Sequence, residues 1–177
     1  WCLIGRGDSI RLGEVSTGGS VTVVGARRAT SYGLEMARSI SHELSAAGLL
    51  VVSGMALGID GAALRGALEA GPTVAVLGCG VDRPYPVSHT RLYRNIVENG
   101  LVISEFPPGT QPWKWTFPAR NRIMAALSQM TVVVEAARRS GSRRFAGRLG
   151  ICACSCTGSP NEFDNWPCSE RSAAITR

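Results

Sequence analysis

The chain has 177 residues, of which 45% are hydrophobic, and this is enough for one domain with a sizeable core. The longest apolar runs are strand-sized, well short of the roughly 20 residues that a membrane-spanning helix needs, and no signal-peptide pattern opens the chain. We therefore expect a cytoplasmic protein with no membrane partner. The formal net charge is +6, but seven arginines and only three acidic residues lie from Arg138 onward, so the net charge is weak evidence for a polyanionic partner.

Short apolar runs alternate with segments of helical spacing through most of the chain. Residues 1–19 hold few apolar side chains and are interpreted as a lead-in segment. The predicted strands begin at Val21, Leu49, Thr73, Leu101 and Thr131, and the predicted helices span residues 30–47, 60–70, 88–98 and 120–128. Strands that are apolar throughout and joined by helices are typical of a parallel sheet covered on both faces. The sequence therefore predicts an α/β fold, a doubly wound Rossmann-like sheet, over about residues 20–150.

Ligands in such a sheet bind beyond the carboxyl ends of the strands, which directs attention to the loops there. The first loop, Gly25–Arg28, lacks the Gly-x-Gly-x-x-Gly pattern of dinucleotide sites, so we expect no cofactor of that kind. Arg27 projects at the rim in this prediction, either as a solvated side chain or as an anion contact. The second loop carries Ser53, Gly54 and Gly58, and glycines of this kind permit close backbone approach by a phosphate.

Asp60 follows directly and is predicted to be the N-cap of the next helix. A carboxylate at that place would repel an anion. The alternative interpretation of the whole loop is a tight strand-to-helix turn without a ligand.

A segment before the last predicted strand mixes aromatic rings with positive charges. It runs from Trp113 to Arg122 and contains Lys114, the only lysine of the chain, and Phe117. This composition suits single-stranded nucleic acid, with cations following the phosphates and rings available for the bases. Packing of the aromatic rings onto the sheet is the alternative, and it applies to Phe117 more than to the tryptophans. Arg120 and Arg122 cannot face the same way on a helix, so one of them is expected to be buried and paired with Glu105 or Glu135.

No catalytic constellation is apparent, and we expect a binding protein, not an enzyme. The two histidines, His42 and His89, are predicted to lie at the surface. Cys79 lies between two glycines without a neighbouring base. Four further cysteines fall in the last 26 residues, but their spacing is not that of a zinc site, so we expect no bound metal.

Six motifs in series resemble the core of the DNA-processing protein A (DprA/Smf) family in order and spacing over about residues 20–142. They are Val23-Val-Gly-Ala-Arg, Ser53-Gly-Met-Ala-Leu-Gly-Ile-Asp, Ala75-Val-Leu-Gly-Cys-Gly-Val-Asp-Arg-Pro-Tyr-Pro, Ser104-Glu-Phe-Pro-Pro-Gly, Phe117-Pro-Ala-Arg-Asn-Arg-Ile and Val134-Glu-Ala-Ala-Arg-Arg-Ser-Gly-Ser.

The resemblance implies a Rossmann-like domain that binds single-stranded DNA in a positively charged pocket. It also implies a homodimer that protects incoming DNA and loads the bacterial recombinase during natural transformation. The resemblance makes Arg27 the best DNA contact and implies that several other residues shape, line or brace the pocket. These are Ser53, Gly54, Gly58, Asp60, Arg120, Asn121 and Arg122. Lys114 and Phe117 complete the expected DNA-binding set.

The chain departs from the family after Ser142, where Arg143-Arg-Phe stands in place of an apolar helix. A sixth strand and its helix are not visible, and residues 151–177 are irregular. One hypothesis is that the native reading frame is lost near Ser142, which would leave a non-native tail. A separate alternative is an inert fragment, because a missing sixth strand would expose an apolar sheet edge. The main rival function is that of a nucleotide-binding phosphoribohydrolase (lysine-decarboxylase-like). The Pro-Gly-Gly-x-Gly-Thr loop of that class does not occur here, although Glu135 lies at a comparable strand end.

Overall fold

A computed structural model describes residues 2–9, 13, 19–135 and 153–154 of the chain. These residues form one seven-stranded sheet and four α-helices. The strands are β1 (Ile4–Gly7), β2 (Ser20–Gly25), β3 (Leu50–Ser53), β4 (Thr73–Val76), β5 (Leu101–Ser104), β6 (Met130–Val134) and β7 (Ala153–Cys154). The helices are α1 (Ser31–Ala46), α2 (Ile59–Ala70), α3 (Thr90–Asn99), which follows a 3-10 turn at Val87–His89, and α4 (Thr116–Leu127).

The strand order is β1-β5-β4-β3-β2-β6-β7. Strands β2 to β7 pair in parallel, and only β1 runs antiparallel, next to β5. The chain moves stepwise from β2 to β5 and then returns to place β6 on the other side of β2. The predicted doubly wound Rossmann-like sheet is confirmed, with its topological switch point between β2 and β6.

Both faces of the sheet are buried because successive strand residues point to opposite sides. Val24 and Val52 belong to the cluster that contains Met124 of α4. Val23 and Val51, one position earlier on each strand, belong to the cluster with the small residues of α1 and α2. Helices α1 and α2 therefore cover one face, together with α3, which packs against alternate residues of β4 and β5, and α4 covers the other face.

The structure differs from the sequence-based expectation in three places. Ile4–Gly7 is an edge strand, although residues 1–19 were interpreted as a lead-in segment. Helix α4 begins at Thr116, four residues before the predicted start at Arg120. Pro118 is tolerated there because it lies in the first turn, where backbone N–H groups have no intrahelical partner. Ala153–Cys154 adds a two-residue strand beside β6 within the predicted irregular tail. The rest of that tail lies outside the described residues, so the reading-frame hypothesis stays a prediction.

Candidate nucleic-acid interface

An open cleft lies at the carboxyl ends of the parallel strands. It encloses about 60 Å³, which is small beside the roughly 300–1,000 Å³ of pockets that bury small molecules. Such a cleft suits a ligand that lies across the surface and inserts only part of itself. It is lined by Arg27, Gly54, Ala56, Leu57, Leu77, Gly78, Cys79, Tyr85, Pro86 and Phe117.

Arg27 forms one wall of the cleft and keeps its side chain exposed. Its guanidinium carbon lies 5.1 Å from the centre of the Phe117 ring, within range of a cation–π interaction. The same ring lies 5.6 Å from that of Tyr85. These contacts hold the guanidinium at the mouth of the cleft and leave its N–H fork available to an anion.

Phe117 reaches this position because Gly78 has no side chain. A Cβ on Gly78 would lie 3.1 Å from Cδ1 of the Phe117 ring and 3.3 Å from the hydroxyl of Thr116. The first turn of α4 therefore packs directly onto the loop that follows β4. The half-buried ring of Phe117 forms a floor on which a planar group could stack.

Arg120 lies beneath the cleft and is 4% exposed. Its Nη1 donates to the carbonyls of Gly54 and of Val76, the latter at 2.8 Å. Gly54 is required at this point because a Cβ there would lie 2.4 Å from the guanidinium carbon. Burial lowers the pKa of Arg120, and the negative charge of Asp60 opposes that shift. Arg120 thus ties the loop after β3 to the end of β4, and it supports the cleft from below.

Asp60 is the acidic counterpart of this buried arginine. It is 4% exposed, and its carboxylate accepts hydrogen bonds from the backbone N–H groups of Ala56, at 3.4 Å, and Gly25. Burial raises the pKa of Asp60, while the charge of Arg120 acts in the opposite direction. The prediction that Asp60 is an N-cap was wrong: Gly58 holds the cap position of α2, and Asp60 lies within the first turn.

Ser53 and Gly58 belong to the segment that follows β3 on its way to α2, and Ser53 is buried while Gly58 is half-buried. The hydroxyl of Ser53 is fully buried and donates to the carbonyl of Val23 at 2.6 Å. Gly58 packs against the loop that carries Arg27, since a Cβ on Gly58 would lie 2.2 Å from the carbonyl oxygen of Ala26. Both residues fix the loops that surround the cleft, and the serine hydroxyl points away from any ligand.

The helix N-termini near the switch point are occupied by acidic side chains of the chain itself. At the start of α1, the carboxylate of Glu135 accepts hydrogen bonds from the backbone N–H and the hydroxyl of Thr30, both at 3.0 Å. At the start of α2, Asp60 lies in the first turn, and its carboxylate accepts a hydrogen bond from the backbone N–H of Ala56 in the preceding loop. Dinucleotide-binding folds place a pyrophosphate at such a helix N-terminus. Here a phosphate would meet a carboxylate instead, so the available anion contacts are the exposed cations of the loops.

The remaining predicted site residues lie on or just before α4. Lys114 is exposed, and Asn121 is half-buried. Arg122 is half exposed and forms an ion pair with Glu105, one of the two partners predicted for an arginine of this helix. The prediction was wrong for the buried arginine, because neither Glu105 nor Glu135 lies beside Arg120; its electrostatic counterpart is Asp60.

His89 was predicted at the surface, and this was wrong. It is 6% exposed, and its Nδ1 lies 3.1 Å from the carbonyl oxygen of Met55 in the loop beside the cleft. A nitrogen at this distance from a carbonyl must carry a proton and donate it. Burial lowers the pKa of His89, so the folded state favours the neutral ring, which holds Met55 in its left-handed conformation (φ 57°). No sequence pattern indicated that His89 would be buried, because its burial depends on contact with the distant loop that contains Met55.

We expect the stability of the fold to decrease as the pH is lowered through 6.5, the ordinary pKa of histidine. The folded-state pKa of His89 lies below that value, so the unfolded chain binds a proton that the folded chain does not, and protonation favours unfolding. The free energy of unfolding, measured by urea denaturation between pH 7.5 and 5, should therefore decrease less in His89→Gln than in the parent chain. His42→Gln, at a half-exposed position of α1, is the control, and an equal change in both variants would contradict the assignment.

Three functional features escaped the sequence-based analysis: Tyr85, Leu57 and the buried His89. Tyr85 and Leu57 line the cleft. Among the described residues, no three His, Cys, Asp or Glu side chains converge in a geometry that could hold a metal ion. In the same part of the chain, no helix has the length and apolar character needed to cross a membrane.

The fold and the cleft define a class: a Rossmann-like protein with an open cleft at the carboxyl ends of the strands and the exposed Arg27 at its mouth. A family model described as DNA recombination-mediator protein A matches residues 2–149. The chain belongs to this family, and the resemblance seen in the six motifs is confirmed.

The curated relatives agree with this assignment. The chain is 46% identical to the DNA processing protein DprA of Streptococcus pneumoniae over 69% of its own length and 43% of that protein. It is 36% identical to the DprA of Bacillus subtilis, over 79% of this chain and 46% of the relative, and 43% identical to protein Smf of Escherichia coli, over 69% and 33%. The chain thus spans less than half the length of these relatives.

Solved structures show the same fold. The X-ray structure of DNA processing protein A from S. pneumoniae matches with a TM-score of 0.79 and 38% identity, over 89% of this chain and 56% of that one. A structure that reports the single-stranded DNA binding mode of DNA processing protein A from Helicobacter pylori matches with a TM-score of 0.80 and 32% identity, over 90% and 73%.

Proposed function

We propose that this domain binds single-stranded DNA across the cleft and acts as a DNA-processing protein in natural transformation and recombination. The observation that carries the proposal is the exposed guanidinium of Arg27, held over the ring of Phe117 at the mouth of the cleft. A cation beside a stacking surface matches the alternation of phosphate and base in a single strand. The H. pylori relative, whose structure reports a single-stranded DNA binding mode, supports the choice of ligand.

The predicted site residues divide into two groups in this proposal. Arg27, Lys114 and Phe117 are exposed or half-exposed and contact the DNA, the cations at phosphates and the ring at a base. Asn121 and Arg122 follow the buried Arg120 on α4, and we assign them to bracing the site, Arg122 through its ion pair with Glu105. A second group holds the loops in place: Ser53, Gly54, Asp60 and Arg120, which are buried, and Gly58, which is half-buried.

The partners follow from the family. We propose that the domain protects incoming single strands in the cytoplasm, loads the bacterial recombinase onto them and forms a homodimer, without catalysing a reaction of its own. The family description as a recombination mediator supports the recombinase partner. A nucleotide-binding function of the phosphoribohydrolase type is not favoured, because the cleft is small and carboxylates occupy the helix N-termini.

Arg27→Ala should weaken binding of single-stranded DNA and flatten its salt dependence. Loss of one phosphate contact reduces the slope of log K against log salt concentration by about 0.7 for a single strand. The measurement is fluorescence anisotropy of a labelled oligodeoxythymidylate titrated at several salt concentrations. Arg38→Ala is the matched control, because it removes the same charge. Arg38 joins α1 to α2 through its ion pair with Glu69 and does not line the cleft. Equal effects of the two variants would show that only net charge matters and would refute the Arg27 contact.

A further inference from the structure

Two tryptophans outside the cleft remain largely exposed. Trp113 is 58% exposed and Trp115 is 63% exposed, and only Lys114 separates them. They lie on the loop that joins β5 to α4 and precede Phe117 by four and two residues. Large exposed aromatic side chains that are close together mark an interaction site.

The loop that carries these tryptophans is anchored at its start. The backbone N–H of Gly80 donates to the carbonyl of Thr110 at 3.0 Å, and the carboxylate of Asp82 accepts from the backbone N–H of Gly109 at 2.8 Å. The loop is thereby tied to the segment that follows β4, which also lines the cleft.

The end of the loop is fixed by Thr116. Its buried hydroxyl donates to the carbonyl of Trp113 at 2.8 Å and accepts from the backbone N–H of the same residue at 3.3 Å. Trp115 packs edge-on against Phe106, with ring centres 5.7 Å apart and an interplanar angle of 78°. An edge contact of this kind orients an indole ring and leaves much of its surface to solvent.

We propose that Trp113 and Trp115 form a second base-stacking site, which takes unpaired bases of the same strand whose phosphates contact Arg27. Three observations favour DNA bases, and not a protein partner, as the ligand of these tryptophans. The tryptophans lie on the same segment as Phe117, four and two residues before it, and the exposed cation Lys114 lies between them in the chain. The backbone of Trp113 is fixed by Thr116, and the ring of Trp115 is oriented by Phe106. Alternating rings and cations correspond to the alternating bases and phosphates of a strand. The inference rests on the proposed function and assigns it two contacts beyond the predicted set.

The test uses the full chain and two labelled strands of about 20 nucleotides, longer than the roughly 4–16 nucleotides that one small binding fold covers. One strand is oligodeoxythymidylate, and the other is an abasic phosphodeoxyribose strand of the same length. The Trp113→Leu/Trp115→Leu double variant should bind the thymidylate strand about tenfold more weakly. Its affinity for the abasic strand should equal that of the parent chain, and Trp113→Phe/Trp115→Phe should restore most of the loss.

Tryptophan fluorescence provides a second readout that a purely structural role would not change. The chain holds four tryptophans, so the double leucine variant retains Trp1 and Trp166 as background. The thymidylate strand should quench the emission of the parent chain, whereas the abasic strand should not, and the variant should lose this difference.

Two results would overturn the inference while leaving the proposed function intact. In one, Arg27→Ala weakens binding, but the leucine variant binds both strands like the parent chain. In the other, the leucine variant loses a dimer detected by light scattering and keeps its DNA affinity, so that the tryptophans contact a second copy. If the parent chain binds neither strand, the proposed function fails and the stacking site fails with it.

Discussion

Gly58→Ala is expected to lower the free energy of unfolding by about 2–5 kcal/mol, because backbone strain and overpacking act together at this position. Gly58 has φ +77°, a conformation that side chains rarely adopt, and a Cβ there would lie 2.2 Å from the Ala26 carbonyl oxygen and 2.8 Å from that of Arg27. Both atoms are backbone, so the clash can be relieved only by moving the loop that carries Arg27. The variant should therefore also lose DNA affinity. Urea denaturation and anisotropy measure the two effects.

The matched control is Gly48→Ala. Gly48 has φ +81°, close to that of Gly58, but a Cβ there would meet no atom within 4 Å. Its substitution should cost about 1–2 kcal/mol for the left-handed backbone alone and leave DNA binding unchanged. If the two alanine variants were equally stable and bound DNA equally well, the close packing of Gly58 against the Arg27 loop would have no functional role.

Arg120→Met should destabilise the fold by about 2–6 kcal/mol, because it leaves two buried carbonyls without a donor and each such loss costs about 1–3 kcal/mol. The substitution deprives the Gly54 and Val76 carbonyls of their donor and leaves the buried Asp60 carboxylate without its compensating charge. Arg122→Met is the control two residues away. Its side chain is half exposed and pairs with Glu105, which is 13% exposed, so that substitution should cost about 1–2 kcal/mol, less than the loss of Arg120.

The destabilisation of Arg120→Met should depend on pH. Burial already raises the pKa of Asp60 above its ordinary value of 3.8, and Arg120 opposes that rise. Without the arginine, the folded-state pKa rises further, so the folded chain binds a proton at a pH where the unfolded chain has released it. The loss of stability relative to the parent chain should therefore become smaller as the pH falls from neutral towards 4. Adding Asp60→Asn should give a similar gain at neutral pH. A deficit that is constant with pH and unaffected by Asp60→Asn would contradict the coupling of the two residues.

The sheet and most helix bounds were predictable because local sequence determines them. Apolar β-branched runs such as Val21–Val24 occur as fully buried parallel strands, and Gly48 ends α1 in both the prediction and the structure. Strand β1 was missed because its four residues include two glycines and three of them are exposed, so only the pairing with β5 defines it. The early start of α4 was missed because Pro118 and the aromatic residues around it suggest a loop.

The sequence predicted several residues that lie around the cleft, but it did not predict which of them are buried beneath it and which are exposed. Helical geometry correctly predicted different environments for Arg120 and Arg122, because side chains two positions apart on a helix point in different directions. The sequence could not reveal that Asp60, rather than a nearby glutamate, is the counterpart of the buried arginine. That interaction joins helices on opposite faces of the sheet across the carboxyl ends of the strands, and only the assembled fold brings their charges near each other. The burial of His89 and the place of Tyr85 beside Phe117 likewise depend on contacts between distant loops.

The most direct test of the account is a salt titration of the unaltered chain with a labelled single strand, followed by competition with the same sequence as a duplex and with ATP. The account predicts micromolar or tighter binding that weakens steeply with salt, little competition by ATP, and weaker competition by the duplex than by an unlabelled single strand. ATP that displaces the strand at equimolar concentration, or a folded chain that binds no single strand at low salt, would contradict the assignment of the cationic cleft to single-stranded DNA.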